Sequence, residues 1–208
     1  MKILSKSGLA IVLSTLDGFR EQKVRIEQYV TDSEIAASIL WDAYLRGDIE
    51  GKTIADLGSG TGILGLGALL LGAKRVYFVE IDADAMKIAE KNYNALKSEA
   101  SIEGEAIFVN KDIFLFNEKT DVVVENPPFG VKKRHADRVF LEKAIEISSI
   151  TYSLHKIESL GFIEAFCREK NIKFDMLASF SFPLKASLPF HIKRMHRFKV
   201  GCFRLRNS

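Results

Sequence analysis

The stretch Asp56-Leu57-Gly58-Ser59-Gly60-Thr61-Gly62 decides the fold of this 208-residue chain. A short apolar run at residues 52–57 leads into the glycines and predicts a strand, and residues 62–71 predict a helix directly after them. Glycine lets a backbone turn tightly and approach a ligand without a clash at Cβ, and the first turn of a helix offers free amide donors. The stretch therefore predicts a ligand-binding turn between a strand and a helix.

Strands and helices alternate on both sides of this turn. Helices are predicted at residues 6–16, 32–46, 62–71, 82–98, 139–149 and 159–170, and strands at 52–57, 75–80, 105–110, 121–125, 151–154, 173–183 and 198–205. The spacing of Thr31 and Glu34 is typical of a capping box at the start of the second helix. Buried strands separated by helices indicate a doubly wound parallel α/β sheet. The last two strands have no helix between them, so we expect them to form an antiparallel pair at one edge.

Length and composition predict one globular domain. A chain of 208 residues, 47% hydrophobic and 27% charged, has the size and balance for one full hydrophobic core. We expect a single domain over residues 1–208, with residues 1–50 as a helical cap and residues 51–208 as the core. No apolar run reaches the length of a membrane span. Cys167 and Cys202 lack metal-ligand or disulfide spacing, which favours a cytoplasmic protein with two reduced, buried thiols.

Charge is distributed unevenly along the chain. From Asn126 onward there are 16 Lys and Arg residues against 7 Asp and Glu residues, whereas the first 125 residues carry 14 against 20. A basic half on a chain with a net charge of only +3 is typical of a phosphate-binding face. Cations scattered over several solvated faces would give the same count.

The glycine pattern fits two classes of cofactor. Gly60-x-Gly62-x-x-Gly65 satisfies the dinucleotide fingerprint of dehydrogenases, in which the helix N-terminus faces a pyrophosphate. An acid beside a pyrophosphate is unfavourable, yet Asp56 ends the strand just before the turn. An acid suits a positively charged ligand, directly or through water, and S-adenosylmethionine carries an amino group and a sulfonium. Asp56, Gly58, Gly60 and Thr61 are therefore predicted to bind S-adenosylmethionine.

Acidic residues after the next two strands predict further cofactor contacts. Glu80 ends the second strand, where a carboxylate can accept hydrogen bonds from both ribose hydroxyls. Asp112 follows the third strand and is placed to accept from the adenine amine, and Ile63 and Ile113 could contact the adenine ring. The structural alternatives are a surface acid at Glu80 and a turn or helix-cap residue at Asp112.

The most specific feature of the chain is Asn126-Pro127-Pro128-Phe129, which follows a predicted strand. The exocyclic amine of an aromatic base is a poor nucleophile, because its lone pair is delocalised into the ring. Asn126 Oδ1 and the Pro127 carbonyl can accept its two N–H bonds, and successive prolines keep such acceptors fixed. Phe129 can stack on the base. These four residues are the predicted catalytic residues, whereas Glu125 is predicted to be solvent-facing or structural.

A basic loop follows this motif directly. Lys132, Lys133 and Arg134 are predicted to hold phosphates of an RNA substrate; a generic surface loop is the alternative. The four histidines show no ligand spacing with Cys or carboxylates, so no metal site is predicted.

With these motifs the chain resembles the adenine-N6 methyltransferases of small-subunit ribosomal RNA, the methyltransferase-like protein five family and its archaeal relatives. The matching segments are Glu27-Gln28-Tyr29-x-Thr31, residues 56–62, Glu80-Ile81-Asp82-x-Asp84-Ala85, Asp112, residues 126–130 and Tyr152-Ser153-Leu154-His155-Lys156. The resemblance covers almost the whole chain. It implies the class I methyltransferase fold, a seven-stranded Rossmann-like sheet with an antiparallel last strand. It also implies S-adenosylmethionine as the cofactor and the N6 amine of an adenine in structured RNA as the methyl acceptor.

The resemblance further implies roles that spacing does not give. It puts Gln28, Tyr29 and Thr31 over the cofactor. It implies a partner, a small zinc-binding methyltransferase-activator protein that pairs along the sheet edge. One departure from the family is Glu80, which stands where relatives often carry Asp and preserves the expected chemistry.

Two other functions remain open. An Asn-Pro-Pro motif with an aromatic residue also serves the glutamine methyltransferases of translation release factors, which usually carry Tyr at the position of Phe129 and a separate recognition domain. A noncatalytic RNA-binding or ribosome-assembly module could keep the fold. Such a module would be expected to lose the acceptor residues, and residues 126–129 are intact.

Overall fold

The computed structural model describes residues 3–19, 31–100, 102–128, 136–183 and 197–207. Its helices are α1 (Lys6–Leu13), α2 (Ser33–Leu45), α3 (Ile63–Leu70), α4 (Ala83–Glu99), α5 (Ala136–Ile147) and α6 (Leu160–Lys170). Its strands are β1 (Thr53–Leu57), β2 (Arg75–Val79), β3 (Glu105–Val109), β4 (Val122–Glu125), β5 (Ile150–Lys156), β6 (Lys173–Pro183) and β7 (Arg197–Arg206). Two short 3-10 helices cover Ile113–Leu115 and Ile157–Ser159.

The strands form one seven-stranded sheet in the order β3-β2-β1-β4-β5-β7-β6. Strands β1 to β5 pair in parallel, and β7 runs antiparallel to both β5 and β6. The prediction of a doubly wound α/β sheet with a reversed last strand is confirmed. The reversed strand lies inside the sheet, between β5 and the edge strand β6, so the predicted antiparallel pair does close one edge.

Side chains of the central strands alternate between two cores. On one face, Ile54 and Val124 pack in a cluster with apolar residues of α1, α2 and α3. On the other face, Ala55 and Val123 pack with residues of α5 and of the first 3-10 helix. Because both faces are covered, β1 and β4 are apolar almost throughout rather than alternating with polar residues.

Helix α2 begins differently from the capping box expected at Thr31. Asp32 is the N-cap residue, and its carboxylate accepts hydrogen bonds from the backbone amides of Glu34 and Ile35. A carboxylate satisfies two amides of the first helical turn, and its charge is favourable at the positive end of the helix. Thr31 is therefore released from capping, and its hydroxyl has another partner at the site described below.

A buried ion pair joins the N-terminal helices to the sheet. Asp48, which follows α2, accepts hydrogen bonds from the Tyr152 hydroxyl at 2.6 Å and from Arg204 Nη2 at 2.8 Å. Tyr152 in β5 stands directly opposite Arg204 in β7. The hydroxyl and the guanidinium together compensate a carboxylate that solvent hardly reaches.

The two cysteines are buried free thiols, as predicted. Burial raises the pKa of the Cys167 thiol to about 11, so the thiolate needed for oxidation is scarce at neutral pH. Within the described residues, no helix combines the length and apolar character needed to cross a bilayer.

Candidate active site

The carboxyl ends of three parallel strands bring the predicted site together. Leu57 at the end of β1 is the register partner of Val79 at the end of β2 and of Glu125 at the end of β4. The glycine turn, Glu80 and Asn126 each begin where one of these strands stops. They therefore lie side by side at one edge of the sheet, where ligands of open α/β sheets bind.

The glycine turn is folded tightly against β2. The amides of Gly58 and Ser59 both donate to the Val79 carbonyl, at 2.8 and 3.0 Å. Gly58 has a φ of +67°, and a Cβ at this position would lie 2.9 Å from the Phe140 ring of α5. A side chain is thus disfavoured twice, by backbone conformation and by the close approach of the Phe140 ring.

The Asp56 side chain is buried in the protein, and the residue is 1% exposed. Its Oδ2 accepts a hydrogen bond from the Gly65 amide of α3 at 2.8 Å, so the side chain ties β1 to the helix beyond the turn. Burial raises the pKa of this carboxyl to about 7, and the nearby Glu80 charge adds to the rise while the Gly65 bond opposes it. The described contact is therefore structural, and the predicted contact with the cofactor stays a prediction.

Glu80 connects the second strand to the turn. Its Oε2 accepts from the Gly60 amide at 2.9 Å, and its Oε1 accepts from the Asp82 amide at 2.8 Å. Burial raises the pKa of this carboxyl in spite of both bonds. Each carboxylate oxygen retains a further lone pair, which leaves capacity for the predicted ribose hydroxyls.

Asn110 is a residue of this region that sequence reasoning missed. Its Nδ2 donates to the Glu80 carbonyl at 2.8 Å and to the Ile81 carbonyl at 3.2 Å, which fixes the chain just after β2. Its position directly after β3, the counterpart of Glu80 after β2, is the signal that could have identified it.

Asp112 is the N-cap of the first 3-10 helix, through a hydrogen bond from the Phe114 amide to Oδ1 at 3.1 Å. The structural alternative foreseen for this residue is therefore present, and its contact with the adenine amine remains a prediction. Ile113 and Ile63 are both buried and pack in different hydrophobic clusters, one on each face of the sheet. Their predicted contact with the adenine ring is likewise untested.

Of the two polar atoms of the Asn126 side chain, one is hydrogen-bonded and the other is unpaired among the described residues. Its Nδ2 donates to the Thr31 hydroxyl oxygen at 2.9 Å. Its Oδ1 is buried and has no hydrogen-bond partner among the described residues. A buried acceptor without a donor is costly, so this oxygen has capacity for a donor that the described residues do not supply. Pro127 and Pro128 follow it, both peptide bonds are trans, and their catalytic role stays a prediction.

Glu125 is fully buried, so of the two roles predicted for it the solvent-facing one is wrong and the structural one fits its position. The Ser153 hydroxyl donates to its Oε1 at 2.6 Å and lies 2.7 Å from His155 Nε2. Which of Ser153 Oγ and His155 Nε2 donates depends on the tautomer of the imidazole ring. Burial raises the pKa of Glu125 to about 8 and lowers that of His155 to about 3, so both are neutral at pH 7. The parallel pairing of β4 with β5 aligns Glu125 with Ser153, which apolar patterning could not show.

Several predicted residues lie outside the described part of the chain. These are Gln28 and Tyr29 of the cofactor set, Phe129 of the catalytic set, and Lys132, Lys133 and Arg134 of the basic loop. Within the described part, no three His, Cys, Asp or Glu side chains are grouped so that they could hold a metal ion.

Comparison with known proteins places the chain in a family. The methyltransferase small domain family matches residues 33–159. The rRNA N(6)-adenosine-methyltransferase METTL5 of Danio rerio is 33% identical over 92% of this chain and 94% of its own length. An uncharacterised protein of Methanocaldococcus jannaschii is 35% identical over 98% of this chain and 94% of its own.

A solved structure supports the same grouping. A Pyrococcus horikoshii protein, described as a candidate RNA methyltransferase, is 41% identical and superimposes with a TM-score of 0.84 over 98% of this chain and 97% of its own. The resemblance inferred from the motifs is therefore confirmed over nearly the whole length. The chain belongs to the methyltransferase small domain family and, within it, to the family of METTL5-type class I methyltransferases.

Proposed function

We propose that this methyltransferase transfers a methyl group from S-adenosylmethionine to the N6 amine of an adenine in RNA, with small-subunit ribosomal RNA as the substrate. The observation that carries the proposal is the state of Asn126. Its amide nitrogen is bound to Thr31, and its Oδ1 is buried without a partner in the described residues. A fixed, unpaired acceptor after a strand, followed by two prolines, is what a poorly nucleophilic amine requires.

S-adenosylmethionine is the cofactor, and when bound it supplies the electrophilic methyl group. The chain offers groups that fit it: a turn too tight for side chains at Gly58, and the Glu80 carboxylate with unused lone pairs. We propose that Glu80 binds the ribose hydroxyls and that Asp112 accepts from the adenine amine. Ile63 and Ile113 contact the ring in this arrangement.

The side chains of the acceptor site orient the target amine. Asn126 Oδ1 accepts one N–H bond and the Pro127 carbonyl accepts the other, which lets the nitrogen become pyramidal and turn its lone pair toward the methyl group. Thr31 acts on Asn126 rather than on the amine in this proposal, because its hydroxyl accepts from Nδ2 and so fixes the orientation of the amide. Its predicted place over the cofactor stays a prediction. Phe129 stacks on the base.

The METTL5 relatives support the choice of RNA. Three proteins named rRNA N(6)-adenosine-methyltransferase, including that of Danio rerio, align over most of this chain. The basic loop next to the catalytic motif gives phosphates a place to bind. A small zinc-binding activator would pair with one of the two sheet edges, β3 or β6.

The test is a methylation assay with isotopically labelled S-adenosylmethionine and unmodified small-subunit ribosomal RNA, with and without a candidate activator, followed by mass spectrometry of the nucleosides. We expect N6-methyladenosine from the wild type and none from Asn126→Ala. A translation release factor serves as the competing substrate. Methylated glutamine in that protein, with no methylated nucleoside in the RNA, would overturn the proposal.

The basic loop has its own test. Simultaneous replacement of Lys132, Lys133 and Arg134 by Ala is expected to weaken RNA binding and to reduce the salt slope, by about 0.7 to 0.9 for each phosphate that the loop no longer neutralises. Filter-binding titrations at several salt concentrations measure this slope. A slope equal to that of the wild type would show that the loop binds no phosphate.

A further inference from the structure

A single buried side chain fastens the segment 17–19, which follows α1, to the glycine turn. Asn92 in α4 is 3% exposed and uses its whole amide. Its Oδ1 accepts from the Asp17 amide at 2.9 Å, and its Nδ2 donates to the carbonyls of Asp17 at 2.9 Å and Thr61 at 3.0 Å. The segment is thus held by both backbone groups of one residue, and the same side chain holds the turn.

The hydrogen bonds of Asn92 to Asp17 and Thr61 hold the segment 17–19 so that Phe19 lies next to the glycine turn. A Cβ on Gly60 would lie 3.1 Å from Cζ of the Phe19 ring, so the ring rests on the Gly60 backbone. The Gly60 amide is the one that donates to Glu80. Phe19 therefore lies close to the backbone amide that the turn donates to Glu80, and the residue is half-buried.

An aromatic ring has a useful chemistry at this position. Its face is electron-rich and attracts cations, and its apolar surface packs well against methylene groups. S-adenosylmethionine presents both, a sulfonium flanked by three carbons and an aliphatic amino-acid chain. An aliphatic side chain would offer the packing surface without the electrostatic attraction.

We propose that Phe19 forms one wall of the S-adenosylmethionine site and that Asn92 is a positioning residue that holds Phe19 over the glycine turn. In this proposal Asn92 does not touch the cofactor itself; it acts through the backbone of Asp17 and through the Thr61 carbonyl of the turn. The inference rests on the cofactor alone and is independent of the methyl acceptor.

The test is calorimetric titration of S-adenosylmethionine and S-adenosylhomocysteine into the full chain, with no RNA present. Phe19→Ala is expected to weaken S-adenosylmethionine binding about tenfold. The loss is expected to be smaller for S-adenosylhomocysteine, which lacks the sulfonium charge. Phe19→Tyr, which keeps the ring, is expected to bind within about threefold of the wild type. Phe162→Ala is the matched control, because Phe162 is a half-buried aromatic of α6 that packs on Phe166, and its affinity is expected to be unchanged.

A double-mutant cycle separates positioning from general support of the fold. Asn92→Ala alone is expected to weaken S-adenosylmethionine binding about tenfold, but to add less than about twofold in the Phe19→Ala background. If Asn92→Ala does not fold, Asn92→Asp replaces it in the cycle, since it keeps an acceptor for Asp17 and loses the Nδ2 donor. Two losses that multiply in the double variant would overturn the positioning role of Asn92. If Phe19→Ala has an unchanged affinity for S-adenosylmethionine and a lowered unfolding temperature, Phe19 does not line the cofactor site. It then contributes only to packing.

Discussion

The two halves of the active-site edge differ in how their polar groups are satisfied. In the cofactor half, Glu80 accepts from two backbone amides and Asp56 from a third; Ser59 Oγ is the exception. In the acceptor half, Asn126 Oδ1 and Glu125 Oε2 are buried without partners among the described residues. Backbone amides thus satisfy most acceptors of the first half, whereas in the second half the Asn126 oxygen retains capacity for a hydrogen-bond donor. Substitutions in the first half should therefore change binding and stability, and those in the second should change rate.

The largest expected effect is that of Asn126→Ala. Loss of the preorganised acceptor is expected to lower the single-turnover methylation rate by at least about 100-fold, because the interaction strengthens as charge develops on the amine. The dissociation constant for S-adenosylmethionine is expected to stay within about twofold, as measured by calorimetry. A similar loss of S-adenosylmethionine affinity in Asn126→Ala would contradict the division into a half that affects binding and a half that affects rate.

Glu80→Gln probes the cofactor half. A neutral amide cannot match the charge-assisted hydrogen bonds to the turn and to the ribose, so S-adenosylmethionine affinity is expected to fall about 10- to 100-fold. The rate at saturating cofactor is expected to change little. Glu105→Gln is the matched control, since Glu105 is an exposed acid of β3 that pairs with Arg75. A rate defect at saturation that equals the binding defect would contradict this division.

Gly58→Ala tests whether the turn is preformed by sterics. The added Cβ meets the Phe140 ring at 2.9 Å and the backbone keeps φ at +67°, so the free energy of unfolding is expected to fall by about 2 kcal/mol. Urea denaturation measures the change. Gly161→Ala is the control, because nothing lies within 4 Å of a Cβ there and no positive φ is involved. Equal losses in the two variants would show that the turn has no special constraint.

Glu125→Gln has the smallest expected effect and depends on pH. The pKa of the folded Glu125 carboxyl is raised from 4.5 to about 8, so the unfolded chain releases this proton at a pH where the folded chain still keeps it. The wild type therefore loses unfolding free energy relative to Glu125→Gln as pH rises, by about 1 kcal/mol or more between pH 5 and pH 7. A difference between the two proteins that is constant over this range would show that Glu125 is ionised in the folded state.

The sequence predicts the sheet well because the parallel strands β1 to β4 are short, mostly apolar runs. Strand bounds differ by a few residues at most, and the reversal of β7 followed from a sequence pattern that predicts no helix between the last two strands. The burial and the hydrogen-bond partners of polar side chains were harder to predict. Sequence reasoning left Glu125 as solvent-facing or structural, and only the pairing of β4 with β5 shows that Ser153 reaches it. Asn92 had no signal at all, because its partners are backbone groups distant in sequence.

The place of β7 has a consequence for synthesis on the ribosome. Translation delivers β6 before β7, yet β7 (Arg197–Arg206) lies between β5 and β6 and pairs with both. Until β7 has left the exit tunnel, β5 and β6 have unpaired edges that other nascent strands can join. In a chain released before residue 197, β6 would therefore have no strand to join it to β5, so the loss is larger than that of a short C-terminal segment. Such a chain would also lack Arg204, the partner of Asp48. We expect quality-control proteases to degrade it as an incompletely folded protein.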